Sequence, residues 1–188
     1  MFEDYPRETI IKDGTVVLMR PVVGEDEERL KLFFSRIPET ERWFLRDDLT
    51  DPEVMHRWLV DLDFNRIVPM VAVRADDESI IANVRMYRRA AECMRHIAHV
   101  RITVHPDYRH QRIGTWMLLD AVKLCMDLGI EKLVAEFVSE VEQAAIAAAY
   151  KLDFFPQATL KDYVKNRQGR YYDLIIMVKN IHKDWSDF

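Results

Sequence analysis

Within nine positions, from Val104 to Arg112, the apolar period of the sequence changes from that of a strand to that of a helix. No other stretch constrains the fold as much. In Arg95–Val104, Val100, Ile102 and Val104 share one face while His99, Arg101 and Thr103 share the other. Pro106 stops that strand. Ile113, Met117, Ala121, Leu124 and Leu128 then recur on one side of a helix read as Arg112–Leu128. Asp120, Lys123 and Asp127 form its polar stripe, and Gly129 is its natural stop. A strand that feeds straight into a long helix points to a mixed α/β domain with a crossover.

The flanking segments extend that reading. Thr15–Arg20 is a β-branched run ended by Pro21. Glu25–Ser35 places Leu30, Phe33 and Phe34 on one side and crowds acids at its start, where the helix dipole favours them. Asp51-Pro52-Glu53 opens a second helix, with Asp51 as N-cap and Val54, Trp58 and Leu62 as the apolar stripe. Val68–Arg74 and Ile80–Tyr87 are strands around a turn at Asp76-Asp77-Glu78, and Lys132–Val138 is a buried strand. Ser139-x-x-Glu142 reads as a capping box for an Ala-rich helix that reaches Lys151. Ala158–Lys165 and Tyr171–Lys179 close the chain around a turn at Asn166–Gly169. The order is β-α-α-β-β-β-α-β-α-β-β. No repeat and no Ser/Gly linker divides the 188 residues, so a single domain over 1–188 is expected, with its core at about 14–179.

Composition excludes several functions. The five glycines stand alone, so neither GxGxxG nor GxxxxGK[ST] can be written. Cys93 and Cys125 form no CxxC and the histidines have no ligand spacing, so no metal site is expected and a reducing compartment is the default. The acidic start Met1–Pro6 is unlike a signal peptide, and no apolar run approaches the length of a membrane span. A net charge of −5 argues against nucleic acid as a partner. These features predict a cytoplasmic protein, monomer or homodimer, that engages neither membrane nor nucleic acid.

Chemistry concentrates at the strand–helix junction. Backbone N–H groups in the first turn of a helix lack intrahelical partners and point outward beside the positive dipole end, which makes a phosphate site from main chain. Arg109 and Arg112 reinforce it. From Arg85 to Arg112 seven arginines stand against Glu92 and Asp107, a local +5 in a chain of net −5. The competing reading is a solvated loop with incidental cations.

This junction resembles the core motif of the GCN5-related N-acetyltransferase (GNAT) family. That motif is a strand ending V-x-P, a short loop, and [R/Q]-x-x-G-x-[G/A] at a helix start. Here Arg109, Ile113 and Gly114 match, as do Val104 and Pro106, while position 112 carries arginine for the usual glycine. Gln143–Phe154 resembles a second motif. Tyr150 and Phe154 match there, and Gln143, Ile146 and Asp153 stand for asparagine, alanine and glycine. Asp13-Gly14-Thr15, Arg20-Pro21 and Glu25-Asp26 resemble the start of the domain in bacterial protein-lysine acetyltransferases. The resemblance implies a GNAT-like α/β (α+β) fold, a mostly antiparallel sheet of about seven strands with four helices. It also implies acetyl transfer from acetyl-CoA, without metal, to a primary amine. Main-chain groups of Ile102, Thr103 and Val104 would pair with the pantetheine, in a splay between that strand and Lys132–Val138. Amides of His110, Gln111, Arg112, Ile113, Gly114 and Thr115, with Arg109, would hold the pyrophosphate, and Gln143 joins the cofactor set. Arg112 is expected in helical geometry, still supplying its amide.

Acyl transfer to an alkylammonium needs a base, because a reference pKa near 10.4 leaves only about one molecule in a few thousand neutral at pH 7. The resemblance places the family's usual glutamate on or beside His99, a residue type suited to that task. It gives Tyr150 the return of a proton to the departing thiolate. The plainer alternatives are a strand histidine bonded to a backbone carbonyl and a tyrosine packed on an Ala-rich helix. A carboxylate such as Glu136 is the fallback base. Between Glu25 and Asp63 twelve acids stand against six bases, which either attract a cationic acceptor or form a solvated helix face. Trp43-Phe44 is either a wall for the acceptor or a cover for the core. The leading function is an N-acetyltransferase, with protein or peptide lysine slightly ahead of a small-molecule amine. A catalytically silent acyl-CoA-binding module is the alternative, and an anion-binding protein that ignores CoA is third.

Overall fold

The computed structural model describes residues 2–45, 47–60, 66–88 and 91–181. Leu62 of the predicted helix stripe, Arg89 of the arginine-rich stretch and His182 lie outside the described residues, as do Met1, Arg46, Asp61 and Asp63. The strands are β1 (Arg7–Ile10), β2 (Val16–Pro21), β3 (Ile67–Arg74), β4 (Ile80–Arg88), β5 (Ile97–Val104), β6 (Lys132–Val138), β7 (Phe155–Lys165) and β8 (Tyr171–Asn180). The helices are α1 (Glu27–Ser35), α2 (Glu39–Arg42), α3 (Pro52–Val60), α4 (Ile113–Asp127) and α5 (Gln143–Tyr150). The sheet order is β1-β2-β3-β4-β5-β6-β8-β7. β5 and β6 pair in parallel, as a helical crossover requires, while β1–β2, β2–β3, β6–β8 and β7–β8 are antiparallel.

Among the described residues, eight strands and five helices exceed the expected seven and four. The additions are β1, a four-residue RETI that alternates half-buried and exposed, and α2, an ETER turn that buries nothing. Neither carries an apolar pattern, so only pairing with the rest of the chain defines them. Among the described residues no helix is long and apolar enough to cross a membrane.

Contacts divide the chain into two units, 1–86 with 102–120, and 87–101 with 121–188. In the first, α1 and α3 bury Leu30, Phe33, Phe34, Met55 and Leu59 in one cluster with Val71 and Val73 of β3. Each large apolar side chain so buried contributes about 1.5–3 kcal/mol. Asp51 caps α3 as its sequence predicts, accepting from the amides of Glu53 (2.8 Å) and Val54 (3.4 Å). Arg20 grips the fully buried Asp26 through two hydrogen bonds of 2.6 and 2.7 Å, and the Val23 amide adds a third at 3.0 Å. Burial pushes the Asp26 carboxyl up, but these bonds outweigh it and hold the group below the usual carboxylate range. Arg20-Pro21 and Glu25-Asp26 therefore include a buried ion pair that anchors β2 to the start of α1.

Asp120, on the predicted polar stripe, does not face solvent. It is buried, paired with Arg7, and beside a Tyr5 hydroxyl pushed up to about 12 by burial first and by the Asp120 carboxylate second. The N-terminal segment thus covers a helix face that the helical period alone leaves open.

In the second unit β6 pairs with β8 from Lys132↔Asn180 to Val138↔Leu174. The predicted Ser139–Glu142 capping box does not form. Glu140 turns left-handed (φ 66°), α5 begins only at Gln143, and Glu142 is its N-cap residue. The Glu142 carboxylate instead accepts from the Val138 amide (2.7 Å) and pairs with Arg101 (2.8 Å).

Candidate active site

In the first unit β5 leads into a 3₁₀ turn at Pro106–Tyr108 that fixes the start of the loop before α4. His105 caps this turn, its Nδ1 accepting from the Asp107 amide at 3.2 Å, while its own amide donates to the Ile81 carbonyl at 2.9 Å. Burial holds the imidazole below its ordinary pKa against the pull of the Asp107 carboxylate, which keeps Nδ1 available as an acceptor.

His110 (φ 62°) and Arg112 (φ 69°) are both left-handed, one on each side of Gln111, and α4 begins at the next residue. Arg112 is therefore not in helical geometry as expected. The chain must reverse before the helix can start, and the reversal falls on that residue. Turns that contain left-handed residues are places where main-chain amides gather around an anion. A non-glycine residue there costs about 1–2 kcal/mol, which gives the family's usual glycine at this position a conformational reason. A Cβ on Gly114 would meet Val104 Cγ2 at 3.5 Å, an ordinary contact distance, so the half-buried first turn of α4 packs on the end of β5. Ile113 is buried and anchors the helix, whereas His110 and Arg112 are exposed. Gln111 Oε1 is buried with no hydrogen-bond partner among the described residues. Ile102, Thr103 and Val104 end β5 half-buried, and Thr115 lies in the first turn of α4. A left-handed turn at a helix start and one exposed cation fit a diphosphate group.

The arginines are not equivalent. Arg109 holds Glu41 in a bidentate pair (3.0 and 2.6 Å) and donates from Nε to the Val104 carbonyl at 3.3 Å. Arg85 pairs with Asp47 at 2.7 Å, and Arg95 with Glu92 at 3.2 Å. Arg112 has no ion pair among the described residues.

The second unit holds the groups suited to proton transfer. His99 is buried in β5, its ring stacked on Tyr87 at 4.9 Å and 14°. Its Nδ1 lies 3.7 Å from Glu136 Oε1. The parallel register His99↔Val134 puts Glu136 on the same sheet face two residues further along β6. Histidine and carboxylate, alternatives on sequence grounds, are thus neighbours. The register runs to Val100↔Ala135, and beyond it the Glu136 carbonyl accepts from Arg101 at 3.2 Å. Tyr150 is the last residue of α5 and is 49% exposed, while Ile146 and Ala149 supply that helix's buried side, so its ring is not a core element. Gln143 is exposed at the helix start. Cys125 is buried and its thiol is pushed up to about 12 by burial, which leaves it inert as a nucleophile.

Sequence reasoning missed the Glu136–His99 proximity, the Tyr87 stack and the Glu41–Arg109 pair. The first had a readable signal, an acid in phase with Val134 and Val138 within an apolar strand. The other two join residues whose separation in sequence hides them.

Comparison with known proteins agrees with the motif. The family model for the acetyltransferase (GNAT) family matches residues 25–154. Among solved structures, an acetyltransferase of the GNAT family from Streptococcus pneumoniae superposes with a TM-score of 0.75 at 21% identity, over 88% of this chain and 99% of that one. The ribosomal-protein-S5-alanine acetyltransferase of Vibrio fischeri gives 0.78 at 18% identity, over 95% and 98% of the two chains. A phosphinothricin acetyltransferase of the GNAT superfamily from Sinorhizobium meliloti, solved in complex with AcCoA, gives 0.75 at 18% identity, over 90% and 91%. No curated protein matches the sequence. With the family model covering Glu25 to Phe154, well over half its length, this chain belongs to the acetyltransferase (GNAT) family and is an acetyl-CoA-dependent N-acetyltransferase.

Proposed function

We propose that the chain acetylates a primary alkylamine, with the lysine side chain of a protein or peptide as the first class to test and small-molecule amines second. The observation that carries this reading is the pair of left-handed residues, His110 and Arg112, placed just ahead of the first turn of α4. Amides from His110 to Thr115 hold the pyrophosphate of the cosubstrate, Arg112 adds charge, and main-chain groups of Ile102–Val104 take the pantetheine. Acetyl-CoA supplies an activated thioester. The chain's own task is to supply a neutral amine and to protonate the leaving sulfur.

His99 accepts the proton from the ammonium, and the neighbouring Glu136 carboxylate stabilises the imidazolium that results. Glu136, with its side chain 35% exposed, passes that proton to solvent. The amine nitrogen bonds to the acetyl carbon as the carbon–sulfur bond breaks. Tyr150 donates its hydroxyl proton to the thiolate and is reprotonated by the second hydrogen lost from nitrogen. The acidic segment Glu25–Asp63 supports a cationic acceptor only through the charge left over, because several of its carboxylates already hold Arg20, Lys31, Arg85 and Arg109. Two free cysteines fit a reducing compartment such as the cytoplasm.

The test is release of free thiol from acetyl-CoA with a panel of lysine peptides, diamines and amino acids. Amine-dependent release that is fastest with lysine peptides supports the reading. A thermal shift with CoA but no release with any amine would turn it into the silent-module reading. No shift at all would refute both.

A further inference from the structure

Arg109, the first residue of the core motif, already has partners within the protein. One guanidinium joins three pieces of the first unit: the Val104 carbonyl at the end of β5, the start of the left-handed loop, and Glu41 of α2. A fork-to-fork pair fixes direction as well as distance. The two side chains are 36% and 39% exposed, so the pair adds little to global stability. What it does fix is the placement of α2 against the loop. α2 runs directly into Trp43, whose amide donates to the Glu39 carbonyl at 3.0 Å and whose side chain is exposed, and then into Phe44. A second tie, Asp47 to Arg85, follows shortly after.

We propose that Glu41 is a positioning residue. Through Arg109 it couples occupancy of the cofactor loop to the placement of the Glu41–Phe44 segment, so that each responds to the other. The inference rests on the assignment of residues 109–115 to CoA. Coupling of this kind is reciprocal in binding free energy.

The sign of one substitution separates this from simple electrostatics. A carboxylate near a polyanion's site disfavours the polyanion, and one that occupies an arginine withholds a cation from it. On charge alone, Glu41→Gln tightens CoA binding. As a positioning residue, Glu41 has the opposite effect, because its loss releases Arg109 and loosens the loop.

The experiment is calorimetric titration of CoA into wild type, Glu41→Gln, Glu41→Asp and Arg109→Lys, with the melting temperature of each free protein as control. The expected result is about fivefold weaker CoA binding in Glu41→Gln with a nearly unchanged melting temperature, and partial recovery in Glu41→Asp. Arg109→Lys keeps the charge but not the fork, so it should weaken binding as well, and it carries the test should Glu41→Gln fail to fold. A second readout is the component of the CoA-induced fluorescence change that Trp43→Phe removes, which Glu41→Gln should abolish at saturating CoA. Glu41→Gln binding CoA as tightly as wild type, or keeping the Trp43 signal, overturns the coupling. A wild type that binds no CoA overturns the loop assignment instead.

Discussion

At Arg112 conformation and charge pull in opposite directions, and two substitutions separate them. The residue is left-handed, at φ 69°, and exposed. A Cβ in that conformation costs about 1–2 kcal/mol, so Arg112→Ala keeps the strain while Arg112→Gly removes it. Glycine restores roughly 0.5–1 kcal/mol of unfolded-state entropy, which leaves it ahead of alanine by about 0.5–1 kcal/mol. At about 2–4 °C per kcal/mol for a chain of this size, Arg112→Gly should melt roughly 1–4 °C above Arg112→Ala. Charge acts independently of this. Both variants lose the same exposed cation, worth up to about 1 kcal/mol against a diphosphate, so both should bind CoA up to about fivefold more weakly than wild type at low salt. Their deficit should shrink as salt rises, because the screening length falls from about 10 Å at 0.1 M to about 3 Å at 1 M. Scanning fluorimetry and calorimetric titration at two salt concentrations read both effects. Alanine as stable as glycine would refute the left-handed assignment, and CoA affinity unchanged in both would remove Arg112 from the phosphate site.

Gly114→Ala should leave the melting temperature of the free protein almost unchanged, because its Cβ meets Val104 at ordinary contact distance, whereas Gly114→Leu should abolish the stabilisation of about 2.7 kcal/mol expected at a hundredfold excess of CoA over its Kd. A CoA-induced shift that survives in Gly114→Leu would place the cofactor elsewhere. His99→Gln should remove the rise of kcat/KM with pH and lower the rate by roughly 10²–10⁴ with CoA affinity kept, and Glu136→Gln should alter the same limb. Tyr150→Phe should lower kcat without changing CoA binding; an unaltered pH profile in His99→Gln would return that residue to a structural role. Asp26→Ala should cost about 3 kcal/mol at neutral pH, since it leaves Arg20 without its buried partner. Because the folded Asp26 carboxyl lies below its unfolded value of about 3.9, its contribution is complete above that pH and is lost as pH falls through the folded value. Stability curves of wild type and Asp26→Ala should therefore converge in strong acid, and parallel curves would contradict the pairing.

Elements fixed by local chemistry were readable in the sequence. β6 runs Lys132–Val138, as its apolar run indicates, and α3 starts at Pro52 under an Asp51 cap. The junction around Pro106 also falls where the period changes. What escaped was decided by distant partners. Asp120 has the spacing of a surface residue, and only the arrival of Tyr5 and Arg7 buries it. Glu142 has the spacing of a capping-box glutamate, but Arg101, forty-one positions earlier, draws its carboxylate to the end of β6. At position 112 the motif showed that a glycine was replaced, yet only the backbone shows that the replacement is left-handed. Motif and handedness are separate facts, and the second sets the energetic cost.

The same distinction governs the charges. A +5 stretch near the phosphate loop and a −6 segment between Glu25 and Asp63 look like two fields for two ligands. In the folded first unit they meet: Arg85 binds Asp47 and Arg109 binds Glu41, so each stretch neutralises part of the other. A tally of formal charge along the chain overstates the attraction either offers to a ligand, because paired charges present a dipole rather than a monopole beyond a few ångströms. In the described loop after Arg109 the cation left over is Arg112, beside two left-handed residues. On the proposed reading, recognition of a diphosphate there rests on main-chain amides first and on one guanidinium second. The two paired arginines tie residues 41 and 47 to the strand and loop beside them, so the motif's first residue already has a carboxylate partner within the protein.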